Sequence, residues 1–197
     1  MHTAHADAPP DALPKKIQIV PLIGLPFSAV LVGLAVYAIA TDSFWLLILC
    51  HVAGGGLWTA IDLFVGLALG PIIGSLQMPG RAEFTAKFMP KMVIIMPTVV
   101  TMTLATGLQI ALHLGRLDPG AAAHGWLVAS MIVVGIMAVV ALGILEPANI
   151  AVLWQMRKDQ PNPAVIERMM KRFVYTAGIT GVMQIATLII MTKVRTL

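Results

Sequence analysis

Five apolar stretches, each long enough to cross a lipid bilayer, dominate this chain. They cover residues 17–40, 44 into the 69–76 region, 89–114, 126–156 and 173–192. A helix needs about 20 apolar residues to span roughly 30 Å of hydrocarbon, and lipid admits only helices or closed barrels. The stretches predict an all-α integral membrane bundle of five transmembrane helices. Residues 17–197 then form one domain behind a polar, Pro-rich, mobile tail at 1–16. Stretches two and four exceed one straight crossing, which predicts tilt or a helical extension beyond the bilayer. Pro71, Pro79, Pro119, Pro161 and Pro163 are expected at or beyond span ends. The apolar block after Lys15 and Lys16 is longer than a signal-peptide core and lacks a small-residue cleavage site. It reads as a retained helix.

Charge supports this class and sets an orientation. Of the 197 residues 58% are hydrophobic and 11% charged, against about 25% charged in soluble domains. A soluble fold, a disordered chain, a coiled coil and a nucleic-acid partner are excluded on that ground. The net charge of +4 comes from cations flanking the apolar blocks. Lys15, Lys16, Arg81, Lys87, Lys91, Arg157, Lys158, Arg168, Lys171 and Arg172 fall on one side of a five-span topology. Only Arg116, Lys193 and Arg195 fall on the other. The positive-inside rule then predicts a cytoplasmic N-terminus and an outside C-terminus, in a bacterial-type inner membrane. Trp45 and Trp126 would mark the outer interface. The lone Cys50 leaves no internal disulfide and no cysteine-built zinc or iron–sulfur site.

Polar groups inside hydrocarbon are expensive, so each is a candidate for function. Asp62 and Glu146 fall at similar depth in spans two and four. They could share a proton, bind a cation, pair with Lys91, or hydrogen-bond neighbouring helices. In span two, His51, Gly55, Trp58 and Asp62 recur at i, i+4, i+7 and i+11 and share one helix face. Neutral imidazole is a natural axial ligand for haem iron, and equally a packing residue. At the depth of His51 the other spans carry Gly33, Gly107, Gly135 and Gly181. With Gly54, Gly55 and Gly56 these would leave a porphyrin-wide slot, or simply let helices pack closely. His113 and Met102 are the candidates for a second metal ligand, and Gln184 for orienting the His51 ring or a haem propionate. His124 reads as a loop residue. Met89, Met92 and Met96 form a stripe that suits packing better than copper. Thr98, Thr101, Thr103 and Thr106, with Gln109, make span three unusually polar; they bond back to their own helix, link helices or line a cavity.

The stretch His51-x6-Trp58, just inside an interface, resembles the first helix of small haem-binding membrane proteins of the protoporphyrinogen IX oxidase type, whose wider superfamily includes copper-resistance D-like proteins. The block RAEFTAKFMPKMVIIMPTVVTMTLATGLQIAL resembles their second helix, through Pro97, the threonines and Thr106-Gly107. Trp126-Leu127 and the basic run before span five match later helices more loosely. The likeness covers spans two to five, with span one as an addition. It implies a four-helix core holding a b-type haem on His51, and a membrane redox protein. Two departures set porphyrinogen oxidation aside. The segment after Trp58 reads TAIDLFVGLAL rather than basic and aromatic-rich, and Ser130 stands in the region of a family lysine.

The leading expectation is therefore a haem b protein that passes electrons, as an oxidoreductase or an anchor subunit. Its expected partners are the lipid bilayer, other membrane redox subunits or a quinone, and the small-residue faces leave room for a homo-oligomer. Two readings stay open beside it. One is a proton-coupled or copper transporter using Asp62 and Glu146. The other is a purely structural membrane subunit.

Overall fold

A computed structural model describes residues 19–158 and 160–196 of the chain, and every regular element in it is helical. A 3-10 turn at Leu22–Gly24 leads into α1 (Leu25–Ala40), followed by α2 (Phe44–Leu63), α3 (Gly70–Ser75), α4 (Met78–His113), α5 (His124–Val140), α6 (Glu146–Met156) and α7 (Pro163–Thr196). Six residues in π conformation, Phe64–Leu69, join α2 to α3, and five more, Ala141–Leu145, join α5 to α6. Five continuous helical rods result, each long and apolar enough to cross a membrane. The protein is a multi-pass membrane protein with an all-α fold. The expected tail at 1–16, with His2 and His5, lies outside the described residues.

The boundaries differ from the expectation where hydropathy and helicity part company. Helix α4 begins at Met78 rather than near 89, and α7 at Pro163 rather than near 173. Their first turns are amphipathic rather than apolar, and salt bridges link them. Lys87 pairs with Glu83 and Lys171 with Glu167 at i,i+4 spacing, while Arg81 reaches Glu167 across the helices at 3.8 Å. In the first stretch, regular helix starts only at Leu25, because Pro21, Gly24 and Pro26 punctuate the segment before it. Pro71 is a further correction. It lies inside the second rod, Phe44–Ser75, not at its end.

Both π segments sit directly before a proline. The Gly70 N–H bonds to the Val65 carbonyl and the Glu146 N–H to the Ala141 carbonyl, each an i→i−5 bond. Pro71 and Pro147 follow at once. A proline ring has no N–H and crowds the carbonyl four residues back, so the helix takes one extra residue into the turn before it. Such π-bulges are frequent at functional sites.

Packing follows the small residues. Helix α2 runs along α4, α1 covers both, and α7 lies between α2 on one side and α5 and α6 on the other. Helix α4 packs on α6, whereas its contact with α5 is marginal at most. Gly66 meets Gly178 so closely that a Cβ on Gly66 would run into the Gly178 backbone. In lipid no hydrophobic force draws helices together, so dispersion contacts and interhelical hydrogen bonds hold the bundle. The buried centre comprises Trp58, Met89, Val99, Val100, Met137, Val152 and Leu153, all almost fully enclosed.

Candidate functional site

The residues singled out on α2 fall into two separate sites. His51 belongs to the first. Its Nδ1 lies 2.9 Å from the main-chain carbonyl of Thr103 on α4. A carbonyl can only accept, so Nδ1 carries the ring proton and donates, which leaves Nε2 with a bare lone pair. The ring lies across Gly107, where a Cβ would come within 2.6 Å of Cε1. A glycine is required at that point for the imidazole to reach the Thr103 carbonyl. Thr103 and Thr106 point their hydroxyls back to the Val99 and Met102 carbonyls of their own helix, as threonines in membrane helices commonly do.

The expected second ligands do not join His51. His113 stacks on Phe44 at 4.9 Å between ring centroids and donates from Nδ1 to Asp42 Oδ2 at 2.9 Å. Phe44 precedes His51 by seven residues, a rise of about 10 Å along α2. His113 thus ties the 41–43 turn to the end of α4. Asp42 also accepts from Gln109 at 3.3 Å, and the Gln109 and His113 bonds hold its carboxyl below its ordinary value. Met102 is buried with Cys50 and Ala35, its methyl beside Gly54. His124 bonds to the Arg116 carbonyl in the connecting loop. Among the described residues no three His, Cys, Asp or Glu side chains group as a metal site.

The glycine level does not form one common slot. Gly54 is filled by Met102 and Thr103, Gly107 by His51, and Gly181 by Leu63 and the backbone of Asp62. Gly55 makes ordinary contact with the Thr103 methyl, while Gly33, Gly56 and Gly135 face open space. Here the glycines bring helices together. A haem therefore fits His51 as a donor with an anchored tautomer, whereas an enclosed pocket shared by all five spans does not fit.

The second site lies further along α2, toward the basic end. Trp58 does not border an empty slot; its Nε1 donates to Asp62 Oδ2 at 2.9 Å. The same oxygen accepts from Thr180 Oγ1 at 2.9 Å and from Gln184 Nε2 at 3.4 Å. Thr59 donates to Gln184 Oε1 and so turns the amide nitrogen toward Asp62. Gln184 serves the acid, not the His51 ring. Asp62 also lines a small cavity with room for about one water, and Glu146 lines the same cavity. Met92 and Met96 form part of its wall, as a packing stripe. The similar depth expected for the two acids is found, but the Lys91 pairing is not: Lys91 is exposed and does not line the cavity.

Sequence reasoning missed Thr180, Thr59 and Asn149. Asn149 is completely enclosed, donates to the Met89 carbonyl at 3.3 Å, and leaves its Oδ1 without a partner among the described residues. Its spacing of three from Glu146 was the available signal. Comparison with known proteins adds no likeness: no family model, no curated protein and no solved structure matches the chain.

Proposed function

We propose that this is a membrane redox protein that binds one b-type haem through His51 Nε2 and passes electrons within the membrane. One observation carries the reading. The Nδ1–H···O=C bond from His51 to Thr103 fixes the tautomer, the orientation and the basicity that a metal-ligating histidine needs. The resemblance of His51-x6-Trp58 and of the second-helix block points the same way. A bound haem would supply one-electron chemistry. The protein's own part is to hold the imidazole against Gly107, to direct Nε2 away from the Thr103 bond as the ligating nitrogen, and to set the site within the helix bundle. The connecting loops are short, so a partner subunit or a quinone in the bilayer would exchange the electrons. A bacterial-type inner membrane with the basic end inside is the setting this reading adopts.

The test is expression with haem supply, followed by reduced-minus-oxidised spectra of the purified protein. A b-type α-band that disappears in His51→Ala is the expected result. A colourless protein, or a band that survives His51→Ala, overturns the assignment.

A further inference from the structure

We propose that the cavity between Asp62 and Glu146 is a proton-exchange site, in which Glu146 carries the exchanged proton and Asn149 receives its hydrogen bond. The argument starts from a mismatch of donors and acceptors. Among the described residues Glu146 Oε1 is enclosed and has no hydrogen-bond partner, and Asn149 Oδ1, one helical turn away in a fully buried side chain, has none either. The Asn149 amide lies within hydrogen-bond reach of the Glu146 carboxyl. The amide donates one bond to the carboxyl, yet each residue keeps one oxygen without a donor, and in hydrocarbon each orphaned group costs about 1–3 kcal/mol. One proton on Glu146 resolves it, because a neutral carboxyl O–H donates where a carboxylate only accepts.

The other acid is built the opposite way. Asp62 Oδ2 takes donors from Trp58, Thr180 and Gln184, and such bonds are strongest to an ionised carboxyl. One wall of the cavity is thus wired for an acceptor and the other for a donor. Such a split between two carboxyls assigns the proton to one of them. No other titratable group intervenes. Helix α4 presents Met92, Met96 and Val100, and α7 presents Phe173 and Ala177, while Lys91, Lys171 and Arg172 are exposed. The second π turn bears directly on this site, since the Glu146 N–H closes it. The exchange balances without redox chemistry: a hydronium in the cavity gives its proton to the Glu146 carboxylate and leaves as water, and the reverse step returns it.

The site stands independently of the haem reading, and its test is separate. Infrared difference spectra are recorded on the protein in lipid vesicles across a pH titration. A protonated-carboxyl C=O band should appear, vanish in Glu146→Gln, and shift to higher frequency in Asn149→Leu, which removes the acceptor. His51→Ala should leave the band unchanged. A band that persists in Glu146→Gln, or that is lost instead in Asp62→Asn, overturns the proposal, as does the lack of any titrating band. Where Glu146→Gln fails to fold, Asn149→Leu decides alone: a shifted band supports the assignment and an unshifted one refutes it.

Discussion

The imidazole of His51 lies against Gly107 of the neighbouring helix, Cε1 and Nδ1 nearest, at a distance that no side chain on residue 107 would allow. The contact joins the two helices that pack most extensively in the bundle, and it is what brings Nδ1 to the Thr103 carbonyl at 2.9 Å.

Gly107→Ala therefore tests the geometry of the site without removing a functional group. The new methyl would come 2.6–2.7 Å from two ring atoms, so the ring must tilt and its bond to Thr103 must lengthen. Overpacking of this kind costs about 1–3 kcal/mol, and the orphaned Nδ1–H adds to it. Unfolding in mixed micelles should report the loss, and any b-type band should broaden or weaken. Full stability together with an unaltered spectrum would remove the ring–glycine contact from the account.

Gly66 and Gly178 give an asymmetric prediction. A Cβ built on Gly66 strikes the Gly178 backbone, which cannot rotate away, whereas a Cβ built on Gly178 rests 3.5 Å from the Gly66 Cα, an ordinary contact. Gly66→Ala should separate α7 from the first π turn and cost about 2 kcal/mol or more. Gly178→Ala should fall within about 0.5 kcal/mol of the parent. Equal effects at the two positions would mean that the helices approach differently from the geometry described.

Much of this was legible in the chain itself, and the reasons are physical. Spans are legible because about 20 apolar residues in a row admit few other structures. Asp62 and Glu146 stood out because hydrocarbon makes carboxyls conspicuous. What each polar group bonds to was not legible. Gln184 could as well have faced His51 as Asp62, and only the packing of α7 on α2 settles it. The glycines carried an ambiguous signal, since the same residues make a slot or close a gap between backbones. The π turns had a readable mark in Gly70-Pro71 and Glu146-Pro147, but a proline alone does not determine the outcome, because α4 runs through Pro90 and Pro97 without such a turn.

The Asp42–His113 contact predicts a loss of stability in acid. Asp42 is held below its ordinary value by hydrogen bonds from Gln109 and His113. A lowered carboxyl contributes its stability in full above its unfolded value, about 3.9, and loses it as the pH falls through the lower folded value. The difference in melting temperature between the parent and Asp42→Asn should shrink as the pH falls below about 4. Asparagine suits the comparison because it tolerates the positive φ of 47° at this position. The carboxyl is fully exposed, so the effect is small. A difference that grows as the pH falls below about 4 would show that the 41–43 turn is held by something else.

The π turns make the most discriminating prediction, because they reverse the usual sign of a proline substitution. Replacing a proline inside a helix with alanine normally restores a hydrogen bond and relieves a clash, a gain of up to about 3 kcal/mol. Pro97 lies in an uninterrupted α segment, so Pro97→Ala should stabilise the protein, by less than that full amount because some packing is lost. Pro147 differs. The extra residue ahead of it sets the phase between Ala141 and Leu145 on one side and Ala148, Asn149, Val152 and Leu153 on the other, all buried. Restoring an N–H at 147 favours an i→i−4 bond to the Gly143 carbonyl, and removing one residue from the turn rotates the two sets apart by about 100°. Either the packing holds the bulge and the new N–H stays unbonded, or the bulge closes and buried faces turn outward. Both outcomes forfeit the gain. Pro147→Ala should be neutral or destabilising in the same mixed-micelle unfolding assay in which Pro97→Ala is stabilising. Equal stabilisation by the two variants would mean that the bulge at Ala141–Leu145 does not position Glu146.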